Sequence, residues 1–356
     1  MNIAFFWTGV TAPLAACWRT LAALPGVRVK VFVEIDRYGN SPINVAEVLA
    51  GINHEVWLFD QPLNENALRS SISAFCPDVM VIIGWRSKMC RYAAESKEFS
   101  SVKKIFTFDM PWEWSLRKLL APLYLWRYLR RFSAAFVPGE RSAAYARWLG
   151  FRPSQIDKGL ISLDLQPYAA AATQRRTSES YPRHFLYVGR YVREKRIDVL
   201  VEAYERYRSR VNDPWGLICC GIGPDAGLLF GRTGLSNQGF VQPKDLPALY
   251  AQAGAFVIAS DYEPWGMVIA EAAASGLPII CTGACGAHLE LVKTGINGIV
   301  CETGSVESLA SAMRWMHDNE SSLARMGEQA SEAVLPFSAT VWAASLLARA
   351  NAVLGR

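Results

Sequence analysis

The sequence predicts an α/β protein of two doubly wound, parallel-sheet domains, and three observations carry that expectation. The chain has 356 residues, 51% of them hydrophobic, too many for one compact α/β unit and comfortable for two. Short apolar runs alternate with helical patterns through both halves. Several of these runs are continuous Val/Ile/Phe stretches without polar alternation, as in a parallel sheet covered on both faces.

In chain order, the first set of strands is expected at 2–7, 27–34, 55–59, 79–84, 104–108 and 134–137, with helices such as 13–24 and 140–149 between them. The pattern stops between Asp164 and Arg183. There Gln166-Pro167-Tyr168, an alanine run and the polar stretch from Thr173 to Ser180 read as a linker, 165–182. It restarts with strands at 185–188, 217–220, 238–241, 255–259, 278–281 and 298–301, and helices at 197–210, 244–253, 267–275 and 306–317. A first domain is therefore expected at 1–164 and a second at 183–336. After Pro336 a last helix, 338–353 within 337–356, is available to pack back on the first domain. Two such domains are expected to face each other, with the ligand in the cleft at the carboxyl ends of the strands.

Composition excludes several classes. None of the eight cysteines forms a C-x-x-C pair, and Cys219, Cys220, Cys281 and Cys301 lie in or beside apolar strand patterns, so buried reduced thiols are expected. The four histidines show no metal-ligand spacing. Met1 to Trp7 lacks a basic leader region and runs straight into a strand, so it does not read as a signal peptide. No apolar stretch approaches the roughly 18 residues of a membrane span. A cytoplasmic chain without metal or cofactor is the expectation.

Three segments carry the chemistry. The second domain opens with Val188-Gly189-Arg190 and, on the following loop, Lys195. Gly189 is expected to let the backbone turn sharply. Two cations at the sheet's carboxyl edge suit a diphosphate, although a solvated charged loop would look the same. The turn Cys220-Gly221-Ile222-Gly223-Pro224-Asp225 lacks the third glycine of a dinucleotide fingerprint and reads as a tight turn. The strongest constellation runs from Ser260 to Ala272. A strand ends in a loop carrying Glu263, and Gly266 allows a close backbone approach. Met267 and Val268 then open a helix whose free N–H groups favour an anion. Glu271, one turn into that apolar helix, needs hydrogen-bond partners, which ribose hydroxyls would supply.

This stretch resembles the E-x7-E motif of retaining glycosyltransferases of the GT-B fold, and most closely glycosyltransferase family 4. Gly189-Arg190 with Lys195, Gly239-Phe240-Val241 followed by Leu246 and Leu249-Tyr250, and Gly286 to Gly298 with Glu290, Gly295 and Asn297 resemble that family in its order. The resemblance covers roughly 185–313 well and the first domain loosely. It implies that Arg190 and Lys195 hold a donor diphosphate and that Glu263 contacts donor-sugar hydroxyls. The backbone of Gly266, Met267 and Val268 would meet sugar and phosphate, Glu271 the ribose, and the backbone of Val241 the nucleobase. It further implies transfer without a bound metal. The expected donor is a UDP-sugar, of the UDP-glucose type, in preference to a GDP-sugar. The expected acceptor is a glycan or lipid-linked molecule in surface polysaccharide or glycolipid synthesis. Two glutamates at this spacing could also suggest a glycosidase pair, but one sits in a loop, the other in a helix, and the adjacent cations suit phosphate better. The same residues would also suit a nucleotide-sugar epimerase, or a catalytically reduced protein that binds nucleotide sugars as a sensor or partner.

The first domain departs from the family pattern. Where relatives often carry a glycine pair after the first strand, this chain offers only Gly9, taken as a donor-binding position. The usual acceptor-side histidine is replaced by Phe108-Asp109-Met110, where Asp109 could orient or deprotonate an acceptor hydroxyl, or cap the following helix. From Ser115 to Gly150, seven cations face Glu140 alone, a net +6, which leaves the rest of the +5 chain at −1. Leu125, Leu129 and Phe132 share one helical face there, Arg127, Arg130 and Arg131 another. That pattern suits either a helix lying on an anionic membrane at the inner face of the cytoplasmic membrane, or a core helix with a solvated basic side. No nucleic-acid motif accompanies the basic strip.

Overall fold

The computed structural model describes residues 1–35, 44–176 and 180–356. The chain divides into two units, Met1–Asp164 with Phe337–Arg356, and Leu165–Pro336.

The first unit holds a seven-stranded parallel sheet: β1 Asn2–Thr8, β2 Arg28–Ile35, β3 His54–Leu58, β4 Val79–Ile83, β5 Lys103–Thr107, β6 Ala134–Val137 and β7 Ile156–Lys158. Its order is β3-β2-β1-β4-β5-β6-β7. The connecting helices are α1 Ala12–Ala22, α2 Val45–Val48, α3 Glu65–Phe75, α4 Lys88–Glu95, α5 Leu116–Leu129 and α6 Glu140–Trp148. The continuous apolar run of β1 is explained by the two cores it serves. Ile3, Phe5 and Trp7 enter one with Trp18 of α1, while Ala4 and Phe6 enter the other with Phe106 and Tyr128. Successive side chains point to opposite faces, and both faces are dry.

The second unit begins with α7 Gln166–Arg176 and carries a six-stranded parallel sheet of order β10-β9-β8-β11-β12-β13. Its strands are β8 His184–Val188, β9 Gly216–Cys220, β10 Leu235–Asn237, β11 Ala255–Ile258, β12 Ile279–Thr282 and β13 Gly298–Cys301. Its helices continue as α8 Ile197–Arg208, α9 Leu246–Ala251, α10 Met267–Ala274, α11 His288–Leu291, α12 Val306–Asp318 and α13 Glu320–Val334. The last helix, α14 Ala339–Leu354, belongs to the first unit. Ser338 caps it, Trp342 donates its indole N–H to the Leu160 carbonyl at 2.9 Å, and Arg349 pairs with Asp157.

Two expectations are corrected, one strand is added and one open alternative is decided. The segment taken as a linker contains α7, which is fastened by Arg175. That buried guanidinium donates to the carbonyls of Tyr250, Ala253, Ser275 and Gly276, the loose ends of α9 and α10. Cations at helix C-termini satisfy carbonyls the helix leaves unpaired. The strand expected at 238–241 lies earlier, at β10, because Gly239 breaks the chain with φ +65°. β7 went unforeseen because Ile156-Asp157-Lys158 has one apolar residue in three. Of the two alternatives for the face of Leu125, Leu129 and Phe132, the structure shows the core one: these side chains are buried in the first unit's core, so that face is not available to lipid.

Candidate active site

In the second sheet the strand order reverses between β8 and β11, where the loops that follow these strands leave the carboxyl edge side by side. Such switch points open a crevice for ligands. The loop after β8 carries Arg190 and Lys195; the loop after β11 carries Glu263 and runs into α10.

Lys195 and Glu263 meet here. The ammonium donates to Glu263 Oε2, and the two side chains are only 11% and 15% exposed. An ion pair this dry holds both groups in one geometry, and removing one partner leaves the other charged and poorly solvated. The loops are also tied by backbone. Asp261 N–H donates to the Glu194 carbonyl at 3.0 Å, and Arg196, in the left-handed region at φ +52°, reaches both Asp198 and Asp261. Arg190 is not brought into this pair. Its side chain is 70% exposed and its partner is Glu194 at 3.4 Å.

Behind Glu263 the loop after β12 closes the wall. Gly286 N–H donates to the Glu263 carbonyl at 2.9 Å, and Ala287 N–H to that of Trp265 at 2.8 Å. A Cβ on Gly286 would stand 2.0 Å from the Pro264 carbonyl oxygen, so the position demands glycine. Gly266 is the N-cap of α10 at φ +103°, with no side chain capping the helix start. Met267 and Val268 are half-buried at that start. The free N–H groups of this first turn and the Lys195 ammonium are chemically suited to an anion.

Gly189 does not make the sharp backbone turn expected of it. Its φ is ordinary, and what excludes a side chain is the Tyr187 ring, whose hydroxyl would lie 2.8 Å from a Cβ. The Gly221-Ile222-Gly223 turn packs backbone to backbone on this loop, with Gly189 N–H donating to Cys220 and Tyr191 N–H to Ile222. Val241 is half-buried on the loop after β10, beside the 37%-exposed Phe240.

Glu271 is buried in α10, and the protein itself supplies part of what its carboxylate needs. Tyr250 of α9 donates to Oε2 at 2.9 Å, and the Tyr168 hydroxyl of α7 also bonds it. Burial pushes the carboxyl's pKa up, and the two tyrosine hydroxyls pull it back down. A carboxylate offers about four acceptor sites, so two tyrosines do not exhaust its hydrogen-bonding capacity. Neither tyrosine was picked out by sequence for this task. Tyr168 sat in the supposed linker, and Tyr250 carried only a family likeness.

Tyr250 and Tyr168 therefore position Glu271. Replacing Tyr250 by phenylalanine should raise the KM for a nucleotide donor about tenfold or more with kcat little changed, since one hydrogen bond to a charged group is worth about 1.5–3 kcal/mol. The variant loses a bond that keeps the carboxyl ionised, so its donor affinity should fade at a higher pH than the wild type's as pH is lowered. Coincident affinity-against-pH curves would remove Tyr250 from that role.

Gly9 and Asp109 lie in the first unit, after β1 and β5. Gly9 adopts φ +74° and donates its N–H to the Glu34 carbonyl at 2.9 Å. Asp109 does not cap α5; Ser115 does, accepting from Lys118 N–H at 3.2 Å. Asp109 keeps an open edge to solvent, yet the protein packed around it raises its carboxyl pKa by desolvation. That shift makes it a stronger base.

Known proteins share part of this sequence and the whole of this fold. Residues 172–333 match the family model described as Glycosyl transferases group 1. Across both units the chain has the α/β fold of GT-B glycosyltransferases. A Rickettsia africae glycosyltransferase aligns over 99% of this chain and 98% of its own, with TM-score 0.77 and 14% identity. The Anabaena protein HepE, solved with UDP and glucose, aligns over 99% of this chain and 100% of its own, with TM-score 0.73 and 16% identity. Among curated sequences, the glycogen synthase of Mycobacterium tuberculosis is 31% identical over 175 residues, 47% of this chain and 41% of that enzyme. The chain thus matches less than half the length of that relative.

Proposed function

We propose that the protein is a retaining glycosyltransferase of family 4 that transfers a sugar from a UDP-sugar, of the UDP-glucose type, to a glycan or lipid-linked acceptor. The observation that carries this is the Lys195–Glu263 pair beside the uncapped, glycine-started helix α10 at the switch point of the second sheet. In that arrangement Lys195 and the first turn of α10 neutralise the departing diphosphate, with Arg190 free to swing onto it from solvent. Glu263 binds sugar hydroxyls and Glu271 the ribose, so the E-x7-E glutamates anchor hydroxyls and do not form an acid–base pair. Fixed donors aimed at developing charge lower the barrier without a metal. Gly9 and Asp109 serve the sugar and the acceptor hydroxyl. Support for UDP comes from HepE, a fold relative solved with UDP and glucose. The acceptor belongs to surface polysaccharide or glycolipid assembly, and peripheral attachment at the inner membrane face would bring the chain to it.

Release of nucleoside diphosphate across a panel of UDP- and GDP-sugars, followed by NMR of the product's anomeric centre, tests this. UDP release with retained configuration is expected. Inverted product would overturn the retaining mechanism. Binding without release from any donor would make the protein a nucleotide-sugar sensor.

A further inference from the structure

Helix α5 is apolar on both sides, and the core explains only one of them. Its inner face buries Ala121, Leu125, Tyr128 and Leu129. On the outer face Leu116, Leu120, Leu123 and Tyr124 are 80%, 50%, 71% and 51% exposed. The spacing 116, 120, 123, 127 puts three leucines and Arg127 in one stripe. Trp114, 84% exposed, precedes the helix, and Trp126, 50% exposed, lies under the Arg130 guanidinium at 5.3 Å. A soluble surface scatters such residues singly; a contiguous set marks a contact.

The helix is also held firmly enough to present that face. Pro122 cannot donate to the Lys118 carbonyl four residues back, and the indole N–H of Trp148 takes its place at 3.2 Å. Lys118 is turned away to Glu113 and the Pro111 carbonyl. The remaining cations, Arg117, Arg127, Arg130 and Arg131, are exposed, and among the described residues none of them is in an ion pair. No acidic residue lies within α5.

We propose that this outer face docks on an anionic phospholipid surface, with Leu116, Leu120 and Leu123 entering the headgroup boundary and the arginines on the phosphates. The mix decides the occupant. Arginines flanking exposed leucines, with tryptophans at the margin, match the apolar and anionic layers of a bilayer surface. A second copy meeting this face on a two-fold axis would set arginine against arginine. Among the described residues no helix is long and apolar enough to cross a membrane, so attachment through this helix lies on the surface. The face differs from the Leu125–Leu129–Phe132 side that the sequence pattern suggested, and it does not depend on the donor chemistry.

The test is co-sedimentation of the full chain with phosphatidylcholine vesicles, with and without phosphatidylglycerol. Binding only to the anionic vesicles is expected, weakened but not abolished by salt. The Leu120→Ser/Leu123→Ser variant should bind about tenfold or more weakly, because two outward leucines no longer leave water. Arg127→Glu/Arg130→Glu should lose binding. Both should melt like the wild type and bind UDP like the wild type, which separates this surface from the donor site. Equal vesicle binding by wild type and leucine variant would overturn the proposal. So would a wild-type dimer that the leucine variant converts to monomer, since the face would then belong to a second copy.

Discussion

Replacing Lys195 by alanine is expected to lower turnover about 100- to 1000-fold, the loss seen when one fixed donor to a developing anion is removed. The same change strands Glu263, which is only 15% exposed, and breaking a dry ion pair costs about 3–5 kcal/mol of stability. The two effects are separable. In Lys195→Ala/Glu263→Ala neither charge is stranded, so much of the melting temperature should return while turnover stays low. A double variant that regained activity along with stability would show that Lys195 serves only the fold.

The second large effect is expected from a methyl group. Gly286→Ala would drive a Cβ into the Pro264 carbonyl, 2.0 Å away, and force the Glu263–Trp265 segment off its two backbone hydrogen bonds. Overpacking against a side chain costs about 1–3 kcal/mol, and backbone yields less readily, so the loss should reach or exceed that range. Activity should fall further than stability, because Glu263 and the start of α10 move with the segment. Gly283→Ala, three residues earlier, meets nothing within 4 Å and should stay within about 0.5 kcal/mol of wild type. Denaturant titration of the two variants compares them directly.

The parts of the site that sequence exposes are those whose chemistry is local. Glu263, Gly266 and Glu271 lie within nine residues, and a glycine before an apolar helix containing a carboxylate is visible without coordinates. Strands buried on both faces were equally plain, since β1, β4 and β6 have almost no polar residue. What stayed hidden depends on contacts far apart in the chain. Tyr168 reaches Glu271 across about a hundred residues, from a helix whose alanine run looked like a tether. Gly189 is explained by the Tyr187 ring and not by its own backbone angle. On α5 and just beyond it the heptad-like pattern of Leu125, Leu129 and Phe132 was clear. Which of two apolar faces the core would take could not be read from spacing alone, because Leu116, Leu120 and Leu123 make a stripe of their own.

Calorimetric titration of UDP into the wild type and the Lys195→Ala, Glu271→Ala and Asp109→Asn variants tests the central claim most directly. The proposed function puts the donor site in the second unit, at Lys195 and α10. UDP should therefore bind the wild type, bind the first two variants at least about tenfold more weakly, as expected for loss of a charged hydrogen bond, and bind Asp109→Asn unchanged. A folded wild type that binds neither UDP nor GDP, or binding indifferent to both Lys195 and Glu271, would contradict it.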